Sequence, residues 1–221
     1  MTDVKPLDLS RFEAAIFDLD GTLVDSEPAW EAAKRAVAAR HGRPISDAQI
    51  LASVGRSMDE LTASVFAPPT PAAARAIEEE IFLAVDDWMG TLRRAIPGAA
   101  DFLRDLHRRG LRIALCSSSP ERHIRDALEQ IGVLDMVELI VSADPLPRRK
   151  PDPMPYVITT QKLDLPQSAV IAFEDAIPGI RSAKGAGLFT VGIGAETNAP
   201  EFAICDLVAK DYPALRIALG M

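Results

Sequence analysis

Cysteine is scarce in this sequence: Cys116 and Cys205 are the only two, and no CxxC pair occurs. That excludes a disulfide framework and a thiolate zinc site. Histidine is nearly as rare. His41, His107 and His123 fall on helical patterns or at a helix end, where solvated polar residues are expected, and His123 is read as an exposed first-turn residue. Positive charge is in deficit, with 24 Lys plus Arg against 32 Asp plus Glu and a net charge of -8. A nucleic-acid partner is excluded on that balance, because backbone phosphates demand a basic face. Long apolar runs are missing too. The run at 169–173 stops far short of the roughly 18 residues a membrane helix needs. The start, with Asp3, Asp8 and Glu13, lacks a signal-peptide pattern. The expectation is a cytoplasmic protein with no membrane partner, acting as a monomer.

What is present is the balance of an ordinary globular chain: 221 residues, 48% hydrophobic and 25% charged. That length permits one large domain or two smaller ones. Short apolar runs at 14–17, 111–116, 137–141, 169–173 and 190–193 read as buried parallel strands. Helical patterns lie between them. Phe102, Leu103 and Leu106 share one face of a segment that stops at Gly110, and Ile124, Leu128 and Ile131 do the same before Gly132. Strand and helix in alternation predict a doubly wound α/β sheet.

One connection breaks the rhythm. About 80 residues separate the first strand from the next helix of the repeat, where a βα loop takes 2 to 6. Within that span a helix is expected from Pro28 to Arg40, ended by Gly42. Ser57 with Glu60 reads as a capping box, and Thr70-Pro71 as the start of a long helix carrying Ile77, Ile81, Ala84 and Trp88. No strand signal appears there. The expected organisation is therefore an α/β body at 1–25 and 96–221, with an all-helical insert at 26–95.

The strand ends carry the chemistry. The first strand runs into FDLDGTLVDSE, placing Asp18 and Asp20 two apart at a carboxyl end, where they can face one site if the chain stays extended. The second ends in CSSSP, so Ser117 and Ser118 offer hydroxyl and N–H donors just before a helix. RRKPDP after the third supplies Lys150, and FEDAIPG after the fourth supplies Glu174 and Asp175. Each residue alone has an ordinary reading as a turn or surface charge, but four strand ends in order deliver phosphate- or metal-compatible groups to one sheet edge. Other motifs fail on context. Gly185, Gly187, Gly192 and Gly194 follow a helix and flank a strand, whereas a dinucleotide loop opens a helix after one. SSSP is not a GxSxG elbow, so a serine hydrolase is not expected.

As a set, DLDGT, the serine after the second strand, Lys-Pro and Glu-Asp resemble the four motifs of the haloacid dehalogenase superfamily. With a helical cap inserted after the first motif, the chain is similar to the branch containing phosphoglycolate phosphatase, sugar phosphatases and beta-phosphoglucomutase. The resemblance implies a Rossmann-like core and Mg²⁺-dependent phosphoryl transfer through an aspartyl phosphate. It implies Asp18 as nucleophile and metal ligand, and Asp20 as a ligand through its carbonyl and a general acid and base through its side chain. Glu174 and Asp175 would complete the metal site; Ser117, Ser118 and Lys150 would hold the phosphoryl oxygens. Electrostatics agree, since four carboxylates beside a phosphate repel by several kcal/mol per close pair even at an effective dielectric of about 20. A hard cation that prefers oxygen suits them.

Within the superfamily, Asp20 separates the chain from the dehalogenases, which lack the second acid of the first motif. The sole cap lysine, Lys34, has no supporting motif for phosphonate hydrolysis. Beta-phosphoglucomutase carries His in the first cap helix where Trp30 stands here, so a phosphatase is expected before a mutase. A receiver domain, the reading from another class, has no place for a helical insert of about 70 residues after its first strand. The expected substrate is a small phosphorylated metabolite, with a sugar phosphate the leading choice. Glu27, Trp30 and Arg56 are the candidates for its specificity, and 24–26 and 96–98 are the expected hinges.

Overall fold

The computed structural model describes residues 7–53, 58–195, 197 and 199–221. The chain divides into two compact units, one running to Asp25 and resuming at Ala95, the other Ser26–Arg94.

In the first unit, β1 (Ala14–Phe17), β4 (Arg112–Ser117), β5 (Val137–Ser142), β6 (Val170–Glu174), β7 (Phe189–Ile193) and β8 (Leu207–Ala209) form a six-stranded sheet in the order β5-β4-β1-β6-β7-β8. Every neighbouring pair is parallel. β1 is central and wholly buried, which is why it contains no polar residue: both of its faces are covered. Its side chains alternate between two cores. Ala15 and Phe17 join Ile113, Leu115, Ile171 and Phe173 on one face, under α5 (Ala99–Arg108), α6 (Glu121–Gln130) and α9 (Tyr212–Ala218). Ala14 and Ile16 join Ala114, Cys116, Val170 and Ala172 on the other, with Tyr156 and Leu163 of α7 (Met154–Leu163) and Ala183 of α8 (Ile177–Gly185). Phe17 and Phe173 stack at 4.7 Å between centroids, and Phe102 meets both rings edge-on. The core is thus a doubly wound, Rossmann-like sheet, as the alternating runs predict. The chain proceeds outward from β1 through β4 to β5, then returns to β6 on the other side of β1. That reversal creates the crevice at the carboxyl ends where such sheets hold their ligands.

The second unit is helical: α1 (Glu27–Arg40), α2 (Asp47–Ser53), α3 (Met58–Phe66) and α4 (Pro71–Leu92). Ala29, Ala33 and Val37 of α1 face Ile77, Ile81, Val85 and Met89 of α4, in i, i+4 rows on both helices. Thr70 caps α4 by accepting the N–H of Ala73. The inner row of α4 therefore follows 77, 81, 85 and 89, and the expected member Trp88 lies outside it, partly exposed. Two short strands absent from the sequence reading, β2 (Val24–Asp25) and β3 (Arg94–Ala95), pair as a separate ribbon. Ser57 and Arg56 lie outside the described residues, as does the capping box assigned to Ser57. Among the described residues no helix is long and apolar enough to cross a membrane.

Candidate active site

At the carboxyl edge of the sheet, register dictates which side chains meet. Phe17 is in line with Leu115 and with Phe173, so the residues that follow, Asp18, Cys116 and Glu174, emerge side by side. The Asp18 N–H donates to the Phe173 carbonyl at 3.0 Å, carrying the sheet ladder one residue past β1. Asp18, Glu174 and Asp175 each present a carboxylate oxygen within 4.8 Å of the others. Lys150, from the loop after β5, enters this cluster. Its Nζ donates to Asp18 Oδ1 at 2.6 Å, to Glu174 Oε1 at 2.6 Å and to the Cys116 carbonyl at 2.8 Å. Its side chain is only 6% exposed.

A buried ammonium loses hydration, yet Asp18 and Glu174 outweigh that loss and hold Lys150 well above its ordinary pKa. The acids are strained in the opposite sense. Burial first, then the nearby Glu174 and Asp175 charges, push Asp18 well above the carboxylate range, although Lys150 opposes the shift. Burial and Glu174 raise Asp175 to about 7. Three acids crowd around one ammonium, which bonds to only two of them, and all the oxygens they offer are hard ligands. That chemistry fits a divalent cation such as Mg²⁺, held by Asp18, Glu174 and Asp175. Burial pushes the Cys116 thiol up to about 12.

Asp20 is treated differently by the fold. Gly21, at φ +85, turns the chain immediately after it, and its carboxylate accepts the Ser119 hydroxyl at 2.7 Å. A Cβ at residue 21 would also lie 1.9 Å from an Asp175 carboxylate oxygen, so glycine is required twice over. Ser117 is buried, its Oγ accepting the Ser119 N–H at 3.0 Å, while Ser118 is exposed.

The remaining assigned positions lie in the helical unit. Glu27 is exposed in the first turn of α1, and Trp30 is half-buried, its ring edge-on to Phe82 at 5.4 Å. Arg56 is not among the described residues. His123, expected on the surface, is instead buried at 8% exposure. Ile124, Ala127 and Leu128 of α6 join the core under the sheet, and His123 is buried on the same side of the helix.

Three contributors escaped the sequence reading. Ser119 holds Asp20. Thr22 donates its hydroxyl to Asp175 Oδ1 at 3.2 Å, and its carbonyl receives the buried Tyr212 hydroxyl at 2.9 Å. Tyr156 donates to Glu174. Their shared signal is weak, a hydroxyl within or shortly after a motif.

Comparison with known proteins agrees with this geometry. The haloacid dehalogenase-like hydrolase family matches residues 12–187. Validoxylamine A 7'-phosphate phosphatase of Streptomyces hygroscopicus subsp. limoneus is 31% identical, covering 93% of this chain and 96% of its own. A phosphoglycolate phosphatase of Cereibacter sphaeroides (strain ATCC 17025 / ATH 2.4.3) is 38% identical over 78% of this chain and 81% of its own. The crystal structure of CbbY from Rhodobacter sphaeroides in complex with phosphate superposes with a TM-score of 0.78 at 25% identity, covering 95% of this chain and all of that one. With the sheet order, the acidic cluster and these matches in agreement, the chain belongs to the haloacid dehalogenase-like hydrolase family and stands among its phosphatases.

Proposed function

We propose that this chain is a Mg²⁺-dependent phosphatase that hydrolyses a small phosphorylated metabolite, a sugar phosphate or a similar polyol ester, through an aspartyl phosphate on Asp18. The observation that carries the reading is the cluster itself: Asp18, Glu174 and Asp175 within 4.8 Å, with Lys150 between two of them. The relatives named for validoxylamine A 7'-phosphate and for phosphoglycolate support the substrate class.

Bound by Asp18, Glu174, Asp175 and the Asp20 carbonyl, Mg²⁺ would neutralise phosphate charge. The chain supplies the rest. An Asp18 carboxylate oxygen attacks phosphorus while the bond from phosphorus to the leaving oxygen breaks, and the Asp20 carboxylic acid gives its proton to that oxygen. Water then attacks the phosphorus of the aspartyl phosphate, Asp20 takes a proton from it, and the bond to Asp18 breaks to release inorganic phosphate. Lys150 and Ser117 bind the transferring oxygens. A hydroxyl that accepts one bond, as Ser117 does, still has its own proton to donate. Exposed Ser118 contributes from the same loop.

The test is phosphate release from a panel of sugar phosphates, polyol phosphates, phosphoglycolate and nucleotides, with Mg²⁺ and with EDTA. Turnover of at least one small ester that EDTA abolishes and added Mg²⁺ restores is expected. Turnover that is indifferent to EDTA would reject the metal assignment, and conversion of a sugar phosphate to its isomer without phosphate release would favour a mutase.

A further inference from the structure

Three serines stand in a row where β4 ends, and the third has every polar group engaged. The Ser119 N–H donates to Ser117 Oγ at 3.0 Å, and its carbonyl accepts the Ser142 hydroxyl at 2.7 Å. Ser142 Oγ in turn accepts the Asp144 N–H at 3.2 Å. The backbone of Ser119 is thereby pinned to β4 on one side and to the end of β5 on the other. Pro120 follows, which restricts Ser119 further by excluding helical backbone angles. With its backbone fixed, its hydroxyl has a definite direction, toward Asp20 Oδ2 at 2.7 Å.

Asp20 sits before a left-handed glycine, and the bond from Ser119 selects one orientation of its short side chain. A general acid must keep its proton within reach of the leaving oxygen, and loss of that alignment costs rate steeply. The Ser119 hydroxyl occupies one carboxyl oxygen, which leaves the other to carry the proton. We infer that Ser119 is a positioning residue: its hydroxyl orients the Asp20 carboxylate for proton transfer to the leaving oxygen and keeps it distinct from the Asp18, Glu174 and Asp175 cluster. This assignment rests on the reading of Asp20 as the general acid.

The experiment compares kcat/KM for a sugar phosphate that the parent hydrolyses with kcat/KM for p-nitrophenyl phosphate, whose leaving group needs no proton. Both are measured on the same preparations of parent, Ser119→Ala, Asp20→Asn and the double variant. A reduced folded fraction lowers both rates alike and cancels in their ratio. Ser119→Ala is expected to shift the ratio toward the aryl ester by about 5-fold, the scale of a lost neutral hydrogen bond, and to add nothing in the Asp20→Asn background. If Asp20→Asn shifts the ratio and Ser119→Ala does not, the positioning role is overturned while the acid role stands. A further loss from Ser119→Ala in the Asp20→Asn background also overturns it, because Ser119 would then act through another group. If Asp20→Asn leaves the ratio at the parent value, the acid role fails and the inference with it.

Discussion

Tyr156 donates its hydroxyl to Glu174 Oε1 at 2.5 Å, the same oxygen that receives the Lys150 ammonium at 2.6 Å. Lys150 Nζ also stands 5.1 Å from the centroid of the Tyr156 ring. One aromatic side chain from α7 thus supports both an acid and the cation of the buried cluster.

Tyr156→Phe keeps the ring and deletes only the hydroxyl. Glu174 is 1% exposed, so water cannot readily replace the lost donor. The variant is expected to unfold about 1.5–3 kcal/mol more easily in urea at pH 7, the worth of a hydrogen bond to a charged group. A stability equal to that of the parent would show that the hydroxyl contributes nothing to holding Glu174.

Asp18→Asn removes the anionic nucleophile at almost constant shape. Lys150 retains Glu174 and the Cys116 carbonyl as partners, so the fold is expected to persist while phosphate release falls by roughly 10³-fold or more. Acid-quenched parent should carry a phosphoryl adduct by intact-mass spectrometry, and the variant should not. An adduct on Asp18→Asn would move the nucleophile elsewhere.

Gly179 makes room for an acid. It lies in α8, and a Cβ there would come within 2.1 Å of the Glu174 carboxylate. Gly179→Ala, benign for the helix itself, is therefore expected to displace Glu174 and to weaken Mg²⁺ binding by about 10- to 100-fold, as changes around metal ligands typically do. Titration calorimetry with Mg²⁺ reads this directly, and an unchanged affinity would remove Glu174 from the metal site.

In the helical unit, Glu80 accepts from His41 Nε2 at 2.7 Å and from Arg40 Nε at 2.8 Å. These bonds, that of His41 foremost, hold its carboxyl below the ordinary range. A depressed folded pKa contributes stability above the unfolded value of about 4.3 and loses it as pH falls through the folded value. Glu80→Gln should then destabilise by less than about 1 kcal/mol at pH 7, since the group is solvent-screened. The difference should vanish in acid, below the folded value. Urea midpoints that differ equally at both pH values would place the effect in packing.

Much of this architecture is legible in the chain because burial on two faces forbids polar residues within a strand. Asp18 and Glu174 are conspicuous as acids at the ends of such runs. β8 leaves almost no pattern: three residues at the sheet edge, with Val208 exposed, are too few for a period to show. Ser119 was hidden among identical neighbours, since which of three serines faces Asp20 depends on the turn and not on composition. Tyr156 carries no signal of its role in the sequence: its ring is buried in the core, and only the closure of α7 on the sheet brings its hydroxyl to Glu174. His123 and Trp88 fail in opposite directions. His123 lies at the edge of the buried face of α6, whereas Trp88 lies within the arc of buried α4 positions and is exposed nonetheless near the helix end.

The central position of β1 also has a consequence during synthesis. Ala14 pairs with Arg112 on one side and with Val170 on the other. At ~5–20 residues per second, on the order of 5–20 s passes between translation of β1 and that of its first neighbour. Throughout that interval an apolar strand with both edges open has no partner in its own sheet, whereas the helical unit, encoded next, completes its hydrophobic cluster before β4 is made. The nascent chain therefore carries an unpaired apolar strand, open to edge pairing with other chains, until β4 and β6 arrive on either side.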